Sequence, residues 1–271
     1  MDIIIVNDGS TDNTSEILCK YESINTQKYF LENNSIGVSA TLNARDNTIL
    51  KKTNVFIVDY HKNKGKGYAL MQGFKRAIEL GYDYAITMDS DGQHLAKDIT
   101  KFISVLEENR DEKNNLLIIG NRFSNASTVI AGTSTTQQPT LNTYLISNSI
   151  AIATPSYQPK ANKFANKFAN FWFAVQTQQK APDTQSGFRM YPLKKLKHFY
   201  LFSARYEAEL ELLVRLVWRG VQIKTVDIDV VYQGEERITH FRPFKDFFRI
   251  SIMNTVLTLV AVVYGWWRKL L

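Results

Sequence analysis

The sequence contains one cysteine, Cys19, in 271 residues. That count excludes an intrachain disulfide framework and any cysteine-rich zinc site, and it fits a reducing compartment. The opening residues, Met1-Asp2-Ile3-Ile4-Ile5-Val6-Asn7-Asp8, carry no basic stretch and no long apolar run, so they are not a secretory signal. Charged residues make up 22% and hydrophobic residues 44%, which excludes wholesale disorder. Long apolar runs are scarce. The candidate is Ile250 to Trp267, 18 residues without a charge, followed by Arg268-Lys269. It contains Ser251, Asn254, Thr255 and Thr258, which makes it marginal against the roughly 20 apolar residues a bilayer span needs. Paired tryptophans beside Arg and Lys favour a membrane interface, so a helix lying on the surface is expected over one that crosses.

The chain holds 33 Lys+Arg and 26 Asp+Glu, a net charge of +7. Residues 1–159 hold 15 and 17, a net of −2, and residues 160–271 hold 18 and 9, a net of +9. A basic half suits phosphate-bearing ligands or anionic lipid. It contains no recognisable nucleic-acid motif, so no nucleic-acid partner is expected.

Short β-branched runs alternate with helical patterns. Strands are expected at Ile3–Val6, Val55–Val58, Tyr84–Met88 and Leu116–Ile119. Helices are expected near 13–21, 68–80, 97–109, 162–178 and 205–219, the last with Leu210, Leu213, Val214 and Val217 as its apolar stripe. Residues 222–231 alternate as a further strand. Residues 22–54 and 124–160 read as long excursions, and 183–189 as a polar loop. Strand–helix alternation argues for an α/β fold with a parallel sheet. One domain over 1–232 is expected, with 233–271 as a basic loop and apolar tail.

In open α/β sheets ligands gather at the carboxyl ends of strands. Three strand ends here carry suitable turns. Asp89-Ser90-Asp91 places two carboxylates at i and i+2, which can share one Mg²⁺ or Mn²⁺, or can instead cap the next helix. Asn7-Asp8-Gly9-Ser10 can receive a base or ribose, or form an ordinary Asx turn. Asn63-Lys64-Gly65-Lys66-Gly67 opens a helix, where glycines, lysines and the helix N-terminus favour an anion. The G-x-x-x-x-G-K-[ST] spacing of a P-loop is absent from it.

Taken together, VNDGSTDNT (6–14), NKGKGYAL (63–70) and MDSDGQH (88–94) resemble the inverting family 2 glycosyltransferases of the GT-A fold. GNRF (120–123), DTQSGFRMYP (183–192), YEAELELLVR (206–215) and THFRPFKDFFRI (239–250) resemble its dolichyl- and polyprenyl-phosphate sugar synthase branch. The resemblance implies a mostly parallel sheet with flanking helices. It implies transfer of a hexose from a UDP- or GDP-sugar to a lipid-linked acceptor, polyprenyl phosphate first, at the cytoplasmic face of a membrane by a peripheral or monotopic protein. Another family 2 activity on a glycan or glycolipid, or a catalytically impaired nucleotide-binding relative, stays open.

The resemblance implies Asp89, Asp91 and Gln93 as metal ligands, and Asp8, Gly9, Ser10, Lys64, Gly65, Lys66 and Asp89 as nucleotide contacts. Asp183 and Gln185 would frame the sugar or acceptor beside Asp91. Arg122 and Arg189 would hold an acceptor phosphate, with salt bridges to nearby acids as the competing reading. His240 and Arg242 would meet lipid headgroups or the acceptor phosphate, with a solvated basic turn as theirs. Glu209 borders the apolar face of its helix, near Leu212, Leu213 and Leu216, where a carboxylate is costly unless paired. Glu207 and Glu211 can instead pair along the helix surface, Glu211 with Arg215 at i+4. Glu209 is therefore preferred as the site residue of its helix, with a structural ion pair as the competing reading. No Gln-x-x-Arg-Trp follows that helix, which favours adding one sugar over polymerising. The family's first strand and its P-x-Y-N-E-like turn are not found ahead of Ile3. The expectation is a chain truncated at its N-terminus, with little or no turnover as it stands.

Overall fold

A computed structural model describes residues 1–19, 54–112, 115–124, 129–131, 160–232 and 243–270. The chain forms two compact units, one of Met1–Tyr82 with Leu201–Ala208 and one of Asp83–Tyr200 with Glu209–Leu271.

In the first unit, β1 (Ile3–Asp8) lies parallel to β2 (Val55–Tyr60), with Ile3 opposite Val55 and Asp8 opposite Tyr60. A short helix α1 follows β1 over residues 14–19. Helix α2 (Lys66–Glu79) starts two residues before the expected Tyr68, because Gly65, at φ +99°, forms its N-cap. The Ala204 carbonyl accepts from the Gly67 and Tyr68 amides at 2.8 and 3.2 Å. Gly67 has no alternative at this approach, since an added Cβ would lie 2.1 Å from the Ala208 Cβ.

The second unit is built on a four-stranded sheet ordered β3-β6-β4-β7, made of β3 (Tyr84–Thr87), β6 (Arg189–Pro192), β4 (Leu116–Asn121) and β7 (Gln222–Asp227). β4 and β7 are parallel, while β6 runs antiparallel to both its neighbours. A parallel pair β5 (Val129–Ala131) and β8 (Val230–Tyr232) completes the strands. Three of these five pairings are parallel, which fits the α/β expectation. Among the described strands, β1 and β3 each pair along one edge.

Helices α3 (Ile99–Glu108), α4 (Lys160–Thr177), the single turn α5 (Leu193–Leu196), α6 (Glu207–Trp218) and α7 (Pro243–Leu270) flank these strands. All six residues of β4 are buried, as a strand covered on both faces requires. Phe102, Leu116, Ile118, Phe188, Met190, Val226 and Ile228 form the core around it. No helix among the described residues is long and apolar enough to cross a membrane.

Three expectations change. β6 (Arg189–Pro192) begins on the last residue of the stretch read as a polar loop and continues through 190–192, for which no strand was expected. The strand read through 222–231 breaks at Ile228-Asp229, where the Asp98 carboxylate takes the Asp229 amide at 2.8 Å and ends the pairing with β4. β5 lies inside the excursion 124–160.

Gly67→Ala is expected to destabilise the protein by about 1–3 kcal/mol through overpacking against Ala208. Gly81→Ala, with φ +81° and open space around it, is expected to cost about 1–2 kcal/mol from backbone strain alone. Urea unfolding checks both; an unchanged midpoint for either variant would contradict the reading of that glycine.

Candidate functional site

Each unit brings together part of the anticipated set. In the first, Asp8 ends β1 and acts as a clamp. Its Oδ1 accepts from the Lys64 amide at 2.7 Å and its Oδ2 from the Gly65 amide at 2.8 Å. Its carbonyl accepts from Asn63 Nδ2 at 2.9 Å. Gly9 sits at φ +65°, and a Cβ there would lie 2.4 Å from the Asn63 amide nitrogen. The Ser10 hydroxyl donates to Asn7 Oδ1 and closes the turn. The D-G-S and K-G-K segments are therefore one interlocked pair of loops. The amides of Lys64, Gly65, Gly67 and Tyr68 are already engaged by Asp8 and Ala204. An anion here would meet side chains first.

Lys64 is the leading cation of that surface. Its Nζ lies 4.4 Å from the Tyr68 ring centroid and 3.1 Å from the Tyr68 hydroxyl. Tyr60 packs edge-on against Tyr68 at 5.4 Å. Burial, and then the neighbouring Asp8 carboxylate, push the Tyr60 phenol above its ordinary pKa, so it stays neutral through the physiological range.

In the second unit, Asp89 and Asp91 leave β3 in one turn. Asp91 is exposed, and its Oδ1 accepts from the Gln93 amide at 3.0 Å. Asp89 lies over Gly187: a Cβ there would come within 2.4 Å of Asp89 Oδ2. No group of three or more His, Cys, Asp or Glu residues able to hold a metal occurs among the described residues. Asp89 and Asp91 carry oxygen donors of the kind Mg²⁺ and Mn²⁺ take, and they are the residues of this turn that could hold such an ion.

Asp183 is 0% exposed. Arg122 grips it through Nε to Oδ2 at 2.7 Å and Nη2 to Oδ1 at 2.9 Å. Arg122 also donates its own amide to Oδ2 at 3.2 Å, and the Gln185 amide reaches Oδ1 at 3.3 Å. Arg189, at 1% exposed, donates to the Thr184 carbonyl at 2.9 Å and the Tyr191 hydroxyl at 3.0 Å. Burial opposes its charge, but Tyr191, Glu209 and Asp183 outweigh that and hold its pKa above the ordinary value. Both guanidinium groups are engaged within the protein and hold the 183–187 loop. His240 and Arg242 lie outside the described residues.

The three glutamates of α6 reverse the expected order. Glu211 is 1% exposed and paired with Arg215, Glu207 is buried, and Glu209 is the half-exposed one. The i, i+4 pair forms, but on the buried side, where Arg215 supplies the charge that makes burial tolerable.

Sequence reading missed the asparagines of α4. Asn170 Oδ1 accepts from the Thr184 amide at 3.0 Å and hydroxyl at 2.7 Å, and Asn166 Nδ2 donates to the Pro182 carbonyl at 3.0 Å. These bonds tie the 182–184 loop to the helix. The signal was the recurrence of Asn at 162, 166 and 170, a polar stripe on one helical face.

Comparison with known proteins gives a match to the profile of Glycosyl transferase family 2 over residues 44–197. A UDP-N-acetylglucosamine–dolichyl-phosphate N-acetylglucosaminyltransferase of Methanococcus voltae is 28% identical over 232 residues, 85% of this chain and 74% of that protein. A poly-beta-1,6-N-acetyl-D-glucosamine synthase of Staphylococcus aureus is 35% identical over 91 residues, 33% of this chain and 14% of that one. Glucosyl-3-phosphoglycerate synthase from Mycobacterium tuberculosis superposes with a TM-score of 0.45 at 14% identity, over 96% of this chain and 68% of that one.

Replacing Asp183 by Ala leaves the Arg122 guanidinium without its fork. A loss of about 3–5 kcal/mol is expected, the cost of orphaning one partner of a buried pair. Retention of full stability in urea unfolding would show that the pair is not a structural constraint.

Proposed function

The chain belongs to glycosyl transferase family 2, and on that premise we propose that it moves a hexose from a nucleotide-diphosphate sugar to polyprenyl phosphate with inversion. The observation that carries the reading is the Asp89–Asp91 turn, with Asp89 seated on Gly187 at the end of β3. A UDP-sugar is favoured over a GDP-sugar, since the Methanococcus voltae relative is named for UDP-N-acetylglucosamine and dolichyl phosphate.

The residues divide the work as follows. Asp89, Asp91 and Gln93 would hold Mg²⁺ or Mn²⁺ against the donor's diphosphate. When bound, the metal supplies charge stabilisation for the departing nucleoside diphosphate. Asp8, with Gly9 and Ser10, fixes the loop that carries Lys64, Gly65 and Lys66, and Lys64 over the Tyr68 ring offers a cation to a base or phosphate. The acceptor phosphate is already anionic, so its oxygen attacks the anomeric carbon without a strong general base. Asp183 and Gln185 belong to the loop that frames the sugar, and Arg122 and Arg189 act as positioning residues for it. Glu209, half-exposed on α6, faces this set as a candidate contact. A lipid acceptor would be met at a membrane, on its cytoplasmic face in this reading, with α7 holding the protein there peripherally.

A glycan acceptor is the second reading. It is favoured by the stretch shared with the poly-beta-1,6-N-acetyl-D-glucosamine synthase and by the internal engagement of Arg122 and Arg189.

The test is transfer of labelled sugar from UDP-N-acetylglucosamine, however slow, with Mn²⁺ and either polyprenyl phosphate or a β-1,6-linked oligosaccharide. The expected label enters the butanol phase, and Asp91→Ala removes it. Gly187→Ala is expected to lower it at least about tenfold, equivalent to about 1.4 kcal/mol, by displacing Asp89. Label appearing only in the oligosaccharide would replace the first reading with the second. Label in neither, with no UDP bound, would remove both.

A further inference from the structure

Helix α7 carries its polarity inside out. On the side packed against the protein, Asn254 Oδ1 and Thr258 Oγ1 accept from Gln176 Nε2 at 3.0 and 3.1 Å. Gln176 itself is 3% exposed. The opposite side bears Phe248, Ile252, Val256, Leu259 and Val263, all exposed, at spacings of three and four that keep them on one face. A helix covering a soluble core has the reverse arrangement. Helix α4 repeats the inversion: Asn166 and Gln176 are buried while Phe168, Phe171 and Val175 are exposed. Contiguous exposed apolar surface of this kind marks a partner or a membrane.

The rim of the α7 face is cationic. Val260 shares a cleft of about 220 Å³ with Arg215, Trp218 and Arg219. The two guanidinium carbons lie 4.6 and 4.5 Å from the centroid of the same Phe199 ring. Arg219 donates to the Lys195 carbonyl at 3.1 Å, and Lys195 Nζ returns a bond to the Arg219 carbonyl at 3.3 Å. Glu211 pairs with Arg215. Among the described side chains this cluster sets Arg215, Arg219 and Lys195 against Glu211. Lys167 of α4 and Arg249 of α7 are also exposed.

We propose that the exposed face of α7 lies in the interfacial layer of an anionic bilayer, and that the Arg215–Arg219 cleft at its rim receives the phosphate of an anionic phospholipid headgroup. This rests on the peripheral membrane location proposed above and adds the site that selects the lipid. An apolar face embeds in the headgroup–acyl boundary, and guanidinium forks beside it meet phosphate oxygens at that depth. A second copy of the chain would match the apolar face but would leave the cationic rim facing its own like charge. Charge complementarity therefore favours lipid.

The experiment is co-sedimentation of the full chain with phosphatidylcholine vesicles, with and without one quarter phosphatidylglycerol. Wild type is expected to bind the anionic vesicles at least tenfold more tightly. Ile252→Glu combined with Leu259→Glu is expected to abolish binding to both. Arg219→Gln is expected to keep binding but lose the anionic preference. Near-ultraviolet circular dichroism confirms that each variant is folded. Should Arg219→Gln keep the full preference, the cleft inference falls and the membrane location stands. Should wild type bind neither vesicle, both fall. A wild-type dimer that the double variant converts to monomer, with vesicle binding unchanged, would make the face an interface between copies and overturn the inference.

Discussion

The buried carboxylate of Asp183 is the constraint around which the second unit is arranged. A fully enclosed carboxylate costs several kcal/mol in desolvation and persists only when its oxygens are filled. Here they take the Arg122 fork, the Arg122 amide and the Gln185 amide. That requirement pins the end of β4 to the 183–187 loop. Arg189 pins the other side of the same loop through the Thr184 carbonyl, and Asn170 of α4 holds Thr184 from a third direction. With the loop fixed, Gly187 offers a surface without a side chain, and Asp89 occupies it. The placement of the D-x-D turn is thus a consequence of satisfying one buried charge.

The same logic explains which parts of the architecture were legible in the sequence. Strands announced by apolar runs, such as Leu116–Ile119, and helices stopped by Gly81 or Gly220 were readable because local pattern and final burial agree. β6 was not, since it opens on a buried arginine and is made a strand by β3 and β4, which are remote in sequence. The α6 glutamates failed for a related reason. Periodicity placed Glu209 near the apolar face, yet the burial of Glu211 is decided by Arg215 beside it, and that of Glu207 by tertiary position. The candidate site divides likewise. The three loop motifs, each at the end of its own strand, were visible as residues. Whether Arg122 would meet a ligand or Asp183 depended on a contact 61 residues away, which no spacing rule encodes.

The polarity of α4 and α7 was half visible. The charge-free run 250–267 was plain in the sequence and pointed to a surface helix. That its inward side would carry Asn254 and Thr258, bonded to a buried glutamine, required the packing of α4. Dividing the charge into −2 and +9 separates a carboxylate-rich half suited to a metal and nucleotide from a basic half suited to lipid phosphate. The two halves are consistent with one reaction between a soluble donor and a membrane acceptor.

The central claim is that Asp89 and Asp91 bring a divalent cation to a nucleoside diphosphate. Phosphorus NMR of UDP titrated with Mn²⁺ and the full chain tests it most directly. The account predicts that both UDP resonances broaden in a protein-dependent manner and that Asp89→Asn combined with Asp91→Asn abolishes the protein-dependent part. Equal broadening with the double variant, or none beyond that of Mn²⁺ and UDP alone, would contradict it.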